Sequence, residues 1–525
     1  MSFTGNLERA VGKLITGRVT GLALDDQSER AIAAGIISGV TLFKDNARDL
    51  NQLFDLISQL NALGGEEFLV AVDQEGGAVQ RFDEVLTPLP SAMALAALNH
   101  DGRAFDALNT GAHQLRLLGV NCNLGPVLDV NSNPLNPIIG TRSFGDNVER
   151  IVHLAQIAAR ASKQNRVLGV AKHFPGHGDT FEDSHLHLAV ARGNKAELSG
   201  RELKTFAECL GDFPSVLVGH VWVPAFEEDA LPASLSRKMI EEVLRGDLKF
   251  DGYVFTDDMP VMKAIVDSYG LEDACVMAIN AGADNVLVSG CLEQIHAVHR
   301  ALIKAIDSGH IKEDRVAQAL GRRKSALAVT RGTVQYTREA RQQLAASVGS
   351  AHHSMLQTSM AAITAVRGGS IKLTAADGEW LVIAPDHGRY RLGLYEQLKT
   401  NPDGKALALA ERRYSLNPEQ PEIDELLAAA AGKNCLFLTF RALLNEGQLE
   451  LAERLSAVSK KRVAVATDVP YELTLMHKWE TSLATLDPSD LAMEALACVL
   501  LEGLPARGKL PVSLRDIRPA SKTHA

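Results

Sequence analysis

VLGVAKHFPGHGDTFEDSH, residues 167–185, joins a short apolar run to a loop dense in titratable and turn-forming residues. Val167–Ala171 has the length and composition of a buried strand, and Pro175, Gly176 and Gly178 then break the chain into a loop. Asp183 and His185 stand two residues apart in that loop. A carboxylate so placed can accept one imidazole N–H, which fixes the tautomer and raises the ring's basicity. The other nitrogen can then give and take a proton near neutral pH. The bland alternative for such a pair is an Asx turn beside a solvated histidine.

The same unit, an apolar run followed by a polar turn and an amphipathic helix, recurs through the first three hundred or so residues. Candidate strands are 19–24, 39–43, 68–72, 121–130, 167–171, 215–219, 252–256 and 285–288. Such alternation predicts successive βα units around a parallel sheet, and eight of them predict an α/β fold with an N-terminal TIM-type (β/α)8 barrel. Polar sequence follows several of these strands: Lys44–Asn46, the DQEGG from Asp73, the NSNPLNP from Asn131, the KHFPGHG from Lys172, His220, and Asp257 with Asp258. In a parallel barrel those positions converge on one rim, the face on which barrel enzymes keep their active sites.

The chain has 525 residues, more than one ordinary core needs, so a second domain is expected. Residues 311–332 read as a basic helix closing a barrel domain of 1–332, and 333–351 as a polar, Gln-rich linker without strand character. Apolar runs at 380–384, 435–439, 463–466 and 482–486 alternate with helical segments and predict a smaller α/β domain over 352–525. The sequence leaves open whether that domain only braces the barrel or dimerises it, or instead lends a loop to the active-site rim. A formal charge of −10 gives no general attraction for nucleic acid or anionic membrane. The six cysteines never form a Cys-x-x-Cys pair, and no run of about 18 apolar residues is present. Together with an N-terminus broken by charges, this predicts a cytoplasmic protein with reduced thiols and no membrane or nucleic-acid partner.

Seven motifs occur in order: GVTLFKDN from Gly39, DQEGGAVQRF from Asp73, NLGPVLDVN from Asn123, NPIIGTRSFG from Asn136, KHFPGHGDTFEDSH from Lys172, PASLS from Pro232 and DGYVFTDD from Asp251. The set resembles the family 3 glycoside hydrolases, and within them the bacterial β-N-acetylglucosaminidases. GKLPVSL from Gly508 resembles the end of that family's second domain. The resemblance implies a retaining exo-β-N-acetylglucosaminidase that needs no cofactor or metal and acts on a carbohydrate: a GlcNAc-containing oligosaccharide or a muropeptide. It implies Asp257 as nucleophile and His185, oriented by Asp183, as acid/base. Asp73, Arg81, Arg142, Lys172 and His173 are implied as sugar-binding residues.

The residues suit those tasks. Glycoside cleavage needs one group to protonate the leaving oxygen and another to meet the positive charge developing at the anomeric carbon. Asp257 ends a buried strand run, where a carboxylate is costly unless it has a purpose. Its neighbour Asp258 is the better candidate for capping the next helix. Arg81 and Arg142 also read as ordinary ion-pair partners, and His220 is a further rim candidate. Two departures from the family pattern stand out: Ala78 where an arginine is common, and MPVMKAI after the TDD, which leaves the start of the next helix open. Competing functions are a phosphorylase or β-glucosidase of the same family, and a metal-dependent hydrolase built on His173, His177, His185, His187, Asp179 and Asp183.

Overall fold

A computed structural model describes residues 7–181, 188–261, 263–332, 336–388, 390–401, 406–515 and 517. Its first sheet is a closed parallel barrel of eight strands. They are β1 Ile15–Arg18, β2 Gly39–Leu42, β3 Leu69–Val72, β4 Cys122–Asn123, β5 Leu168–Phe174, β6 Ser215–Val218, β7 Tyr253–Asp258 and β8 Asn285–Leu287. β1 closes the ring by pairing with β2 on one side and β8 on the other. The predicted (β/α)8 architecture is therefore observed.

Three strands depart most from expectation, each for a local reason. The first strand is Ile15–Arg18, upstream of 19–24, because Gly21 turns at a φ of 77° and Asp25 caps the following helix through the N–H groups of Gln27 and Ser28. β4 is only Cys122–Asn123: Pro126 has no N–H to offer a ladder, and the chain continues beside β5 as a bridge between Val127 and Lys172. β5 in turn runs through Lys172 and His173 to Phe174, so these two residues stand on the strand and do not lead out of it.

Alternation along the strands sorts the core. Leu69, Ala71, Leu168, Val170, Leu217, Tyr253, Phe255 and Leu287 fill the barrel interior, closed below by Ala326 and Leu327. Val70, Val72, Val216, Val218, Val254 and Val286 point outward into the helical shell. Arg323 seals the floor, donating to the Tyr253 hydroxyl at 3.2 Å and to the carbonyls of Ser38 and Glu67 at 2.7 and 2.9 Å.

The second sheet has six strands: β9 Thr364–Arg367, β10 Trp380–Asp386, β11 Leu409–Ser415, β12 Asn434–Thr439, β13 Arg462–Ala466 and β14 Thr481–Ala484. Their spatial order is β9-β14-β13-β12-β10-β11, parallel except for β9. The sequence pattern missed β9 and β11. Both are edge strands, and β11 reads LAERRYS with Tyr414 its only buried residue, so neither shows a continuous apolar run. The segment expected as a structureless linker supplies the start of a helix, Arg338–Ala362, with Thr337 as its cap. Leu344 on this helix packs in the barrel core, and Met355 and Ala362 pack in a second cluster.

That second cluster is shared. It joins Met93, Leu95, Ile151 and Leu154 of barrel helices to Leu381, Ile383, Phe437 and Ala464 of the second sheet. The opposite face of the sheet, with Val382, Leu436, Val463 and Leu483, packs under its own helices. Polar ties cross the same boundary: Ser91 N donates to Asp487 Oδ2 at 2.9 Å and Asn131 Nδ2 to the Tyr471 hydroxyl at 2.8 Å. None of the six cysteines is paired, and no described helix is long and apolar enough to cross a membrane.

One buried acid in the second sheet's region has a measurable consequence. Glu472 is fully buried, and its Oε1 accepts from Thr439 Oγ1 at 2.9 Å. Burial pushes its carboxyl from an ordinary 4.5 up to about 7. Across that window the folded state binds more protons than the unfolded one, so this group's contribution to stability falls as pH rises. Glu472→Gln removes the titration. In thermal melts the variant is expected to gain Tm over wild type near pH 8 and to lose that advantage near pH 5.

Candidate active site

The parity that fills the barrel also builds its mouth. Two residues beyond the inward-facing Ala71, Val170 and Phe255 come Asp73, Lys172 and Asp257, on the same side of their strands. All three line one cleft of about 720 Å³, together with Arg81, Arg142, His173, His177 and Asp258. Every described residue expected at the sugar-binding site is therefore in one place.

Ion pairs fix the floor of this cleft. Lys172 Nζ, on a side chain 2% exposed, lies 2.8 Å from Asp73 Oδ1 and 2.6 Å from Glu75 Oε1. Arg142 grips Glu75 with two parallel bonds, Nε to Oε2 and Nη2 to Oε1, each 2.9 Å. Arg81 Nη2 reaches Asp73 Oδ2 at 3.3 Å. Burial would raise the carboxyls of Asp73 and Glu75, but Lys172 with Arg81 or Arg142 outweighs it and holds both below the usual range. For Lys172, burial works to lower the ammonium, and the two carboxylates more than reverse it. Arg81 and Arg142 are thus ion-pair partners and cleft residues at once. Breaking one member would leave a buried charge uncompensated, which makes the set rigid.

The histidines are fixed as firmly. Asp129 Oδ2 lies 2.7 Å from His173 Nδ1, and Asp129 Oδ1 accepts the His177 backbone N–H at 2.6 Å. On the other side of His173, Arg142 Nη2 approaches Nε2 at 3.3 Å. A guanidinium only donates, so Nε2 is the accepting nitrogen and Nδ1 carries the proton toward Asp129. His177 Nδ1 lies 2.7 Å from Thr180 Oγ1, and burial depresses its basicity to about 4, so this ring is neutral at physiological pH. His220 is buried with Nδ1 2.5 Å from Ser234 Oγ.

The acid at the end of β7 is the half-buried Asp257. Its depth in the cleft works to raise its pKa, yet His173, His220, the Asp258 backbone N–H and Lys172 hold it below the ordinary value, so Asp257 stays ionised. The Asp258 N–H donates to Asp257 Oδ1 at 2.9 Å. Among the described residues, Asp258 turns its carboxylate to the neighbouring strand end. Its carboxylate accepts from Ser289 N at 2.9 Å and from Ser289 Oγ, tying β7 to the end of β8, and burial pushes its pKa up to about 6. A 3-10 turn, Met259–Val261, follows, and the next described helical residues are Lys263–Tyr269.

Asp183 and His185 lie outside the described residues, and so does His187. Their flanks are anchored. Thr180 O accepts from Asn133 Nδ2 and Asn136 Nδ2, each at 3.0 Å, while Ala189–Val190 pairs with Val221–Trp222. Of the histidine and acid cluster considered for a metal, Asp179 is turned to Arg201 at 2.8 Å, and His173 is engaged at both nitrogens. Among the described residues no group of three or more His, Cys, Asp or Glu side chains is arranged to hold a metal ion.

Sequence reading missed Glu75, Asp129 and the contribution of His177 to this cleft. Asp129 interrupts the apolar stretch PVLDV, and that was the available signal; Glu75 follows Asp73 and Gln74 in DQEGG, where nothing local sets it apart. It also gave no sign that His387, Tyr390, Phe440 and Arg441 of the second sheet's loops complete the wall of the cleft.

Comparison with known proteins agrees with this geometry. The profile of the glycosyl hydrolase family 3 N-terminal domain matches residues 6–325. A beta-hexosaminidase of Alkalilimnicola ehrlichii is 36% identical over 299 residues, 56% of this chain and 84% of that protein. A family 3 beta-N-acetylglucosaminidase from Paenibacillus sp. superposes with a TM-score of 0.85 at 30% identity, over 97% of this chain and 99% of its own. A beta-glucoside phosphorylase shares the fold, with a TM-score of 0.79 at 20% identity over 97% of this chain and 93% of that one. The profile match covers the whole barrel, including every strand that carries a charged residue into the cleft, and on it this chain is a glycoside hydrolase belonging to glycosyl hydrolase family 3.

Proposed function

We propose that this enzyme is a retaining exo-β-N-acetylglucosaminidase that removes terminal GlcNAc from small glycans or muropeptides. The observation that supports the reading is Asp257 at the end of a barrel strand, in one cleft with Asp73, Arg81, Arg142, Lys172 and His173. The names of the relatives support the sugar. Asp257 attacks the anomeric carbon as the leaving oxygen takes a proton from His185, whose other nitrogen is held by Asp183. The resulting glycosyl ester is opened by water, which gives its proton to His185 as Asp257 departs. Two displacements at one carbon return the β-configuration. The rigid ion pairs bind and orient the sugar without reorganising during the reaction.

Unpaired cysteines suit a reducing compartment, and we place the enzyme in the cytoplasm, working on cell-wall recycling fragments. We divide it into a catalytic domain over residues 1–332, a joining segment over 333–351 and a second domain over 352–525. The test is a panel of aryl β-GlcNAc, aryl β-glucoside and a muropeptide, each with and without inorganic phosphate. We expect GlcNAc release from the first and third, a β-anomer as the first-formed product by NMR, and no effect of phosphate. Preferred cleavage of the glucoside, or appearance of a sugar 1-phosphate, would overturn the proposal.

A further inference from the structure

Residues 175–181 lead from β5 toward Asp183 and His185. On one side this stretch rests on the loop after β4: Asn133 N donates to Gly178 O at 3.4 Å, and Asn136 Nδ2 donates to His177 O at 2.8 Å. The other side is met by Arg201, the single residue between the short helices Lys195–Gly200 and Glu202–Cys209. Its guanidinium is divided between two carboxylates. Nε donates to Glu202 Oε1 at 2.5 Å, and Nη2 donates to Asp179 Oδ2 at 2.8 Å.

The two contacts differ in depth. Glu202 is only 2% exposed, and a carboxylate so deep is costly without a cation beside it. Arg201 supplies that cation and is pinned by it. Glu202 has no room to move toward the loop, because a Cβ on Gly176 would already meet its Cγ at 2.6 Å. A guanidinium is planar, with its donors in a rigid fork, so fixing Nε on Glu202 also fixes the direction in which Nη2 meets Asp179. None of the three residues is among those that line the cleft of Asp257. Asp257 itself stands on β7 and takes its place from that strand.

We propose that Arg201 is a positioning residue for the acid/base. By holding Asp179, four residues ahead of Asp183 and six ahead of His185, it sets the point from which the chain reaches that pair. The proposal rests on the reading of His185 and Asp183 given above. Proton transfer to a leaving oxygen demands hydrogen-bond reach, about 3 Å, so a shift at the anchor weakens protonation. Attack by Asp257, carried on a different strand, is spared.

The test compares N,N′-diacetylchitobiose, whose leaving alkoxide needs the proton, with a dinitrophenyl β-GlcNAc, whose phenolate does not. Arg201→Lys keeps a cation for Glu202 but lacks the fork, and Asp179→Asn leaves the Arg201 pair with Glu202 in place. In each, the ratio of kcat/KM for chitobiose to that for the aryl substrate is expected to fall about 10-fold, and the double variant is expected to fall no further. An unchanged ratio in Asp179→Asn, equal losses on both substrates, or multiplied losses in the double variant would overturn the proposal. His185→Ala separates this failure from that of the function proposed above. If it leaves the ratio unchanged, or if wild-type enzyme is inert toward both substrates, the acid/base reading fails and the anchor is judged by hydrogen exchange across residues 176–190. Faster exchange there in Asp179→Asn than in wild type would uphold the anchor, and equal exchange would reject it.

Discussion

Asp257→Ala is expected to lower kcat on an aryl β-N-acetylglucosaminide by ~10⁴-fold or more while the protein remains folded. The variant deletes the only group placed to form a covalent bond to the sugar in the proposed mechanism. It spares the charged floor, because Asp257 takes no part in the Lys172, Asp73, Glu75 and Arg142 ion pairs. Binding of GlcNAc should survive, so the loss belongs in kcat. Azide supplied in solution can enter the space left by the carboxylate and attack from that face. With an activated aryl substrate it should restore turnover and yield the α-glycosyl azide, one displacement in place of two. Retention of substantial activity in the alanine variant, or a β-configured azide, would remove Asp257 from the nucleophile's role.

His185→Ala carries the second large effect, and its size is set by the leaving group. An acid/base group in the transition state typically contributes about 10²–10⁴-fold. A nitrophenolate departs without help, so for that substrate the first step should change little and breakdown of the glycosyl ester, which needs a base, should become limiting. A sugar alkoxide cannot depart unprotonated. The full loss is therefore expected on chitobiose, with a burst of nitrophenol on the activated substrate as the ester accumulates. Losses of equal size on the two substrates, with no burst, would argue against His185. Asp183→Asn should reproduce the pattern in weaker form, since the ring remains but loses the carboxylate partner proposed to orient it.

Much of this fold is legible in the sequence. The barrel announces itself because most buried strands are short apolar runs followed by turn-forming polar residues, a rhythm that survives even where β1 shifts upstream and β4 shortens. The ordered motifs single out Asp257, Lys172 and Asp73, and the structure adds that each is the next inward-facing step after the barrel's packed interior. What the sequence concealed depends on contacts between distant segments. Asp129 matters because two histidines more than forty residues away converge on it. Edge strands such as β11 lack the apolar signature because only their neighbours bury them. His387, Tyr390 and Phe440 pack together from two loops of a different sheet, and nothing local marks them as companions.

The shared register of filling and chemistry in β3, β5 and β7 couples two properties that many enzymes can alter separately. A single residue inserted into any of these strands would turn its apolar side chains out of the interior and swing its charged terminus away from the mouth in the same stroke. Such a chain could not drift toward a new substrate by sliding its charged strand ends. Diversification is left to the segments beyond the strand ends and to the neighbouring sheet, where length and composition can vary while the reactive centre keeps its place.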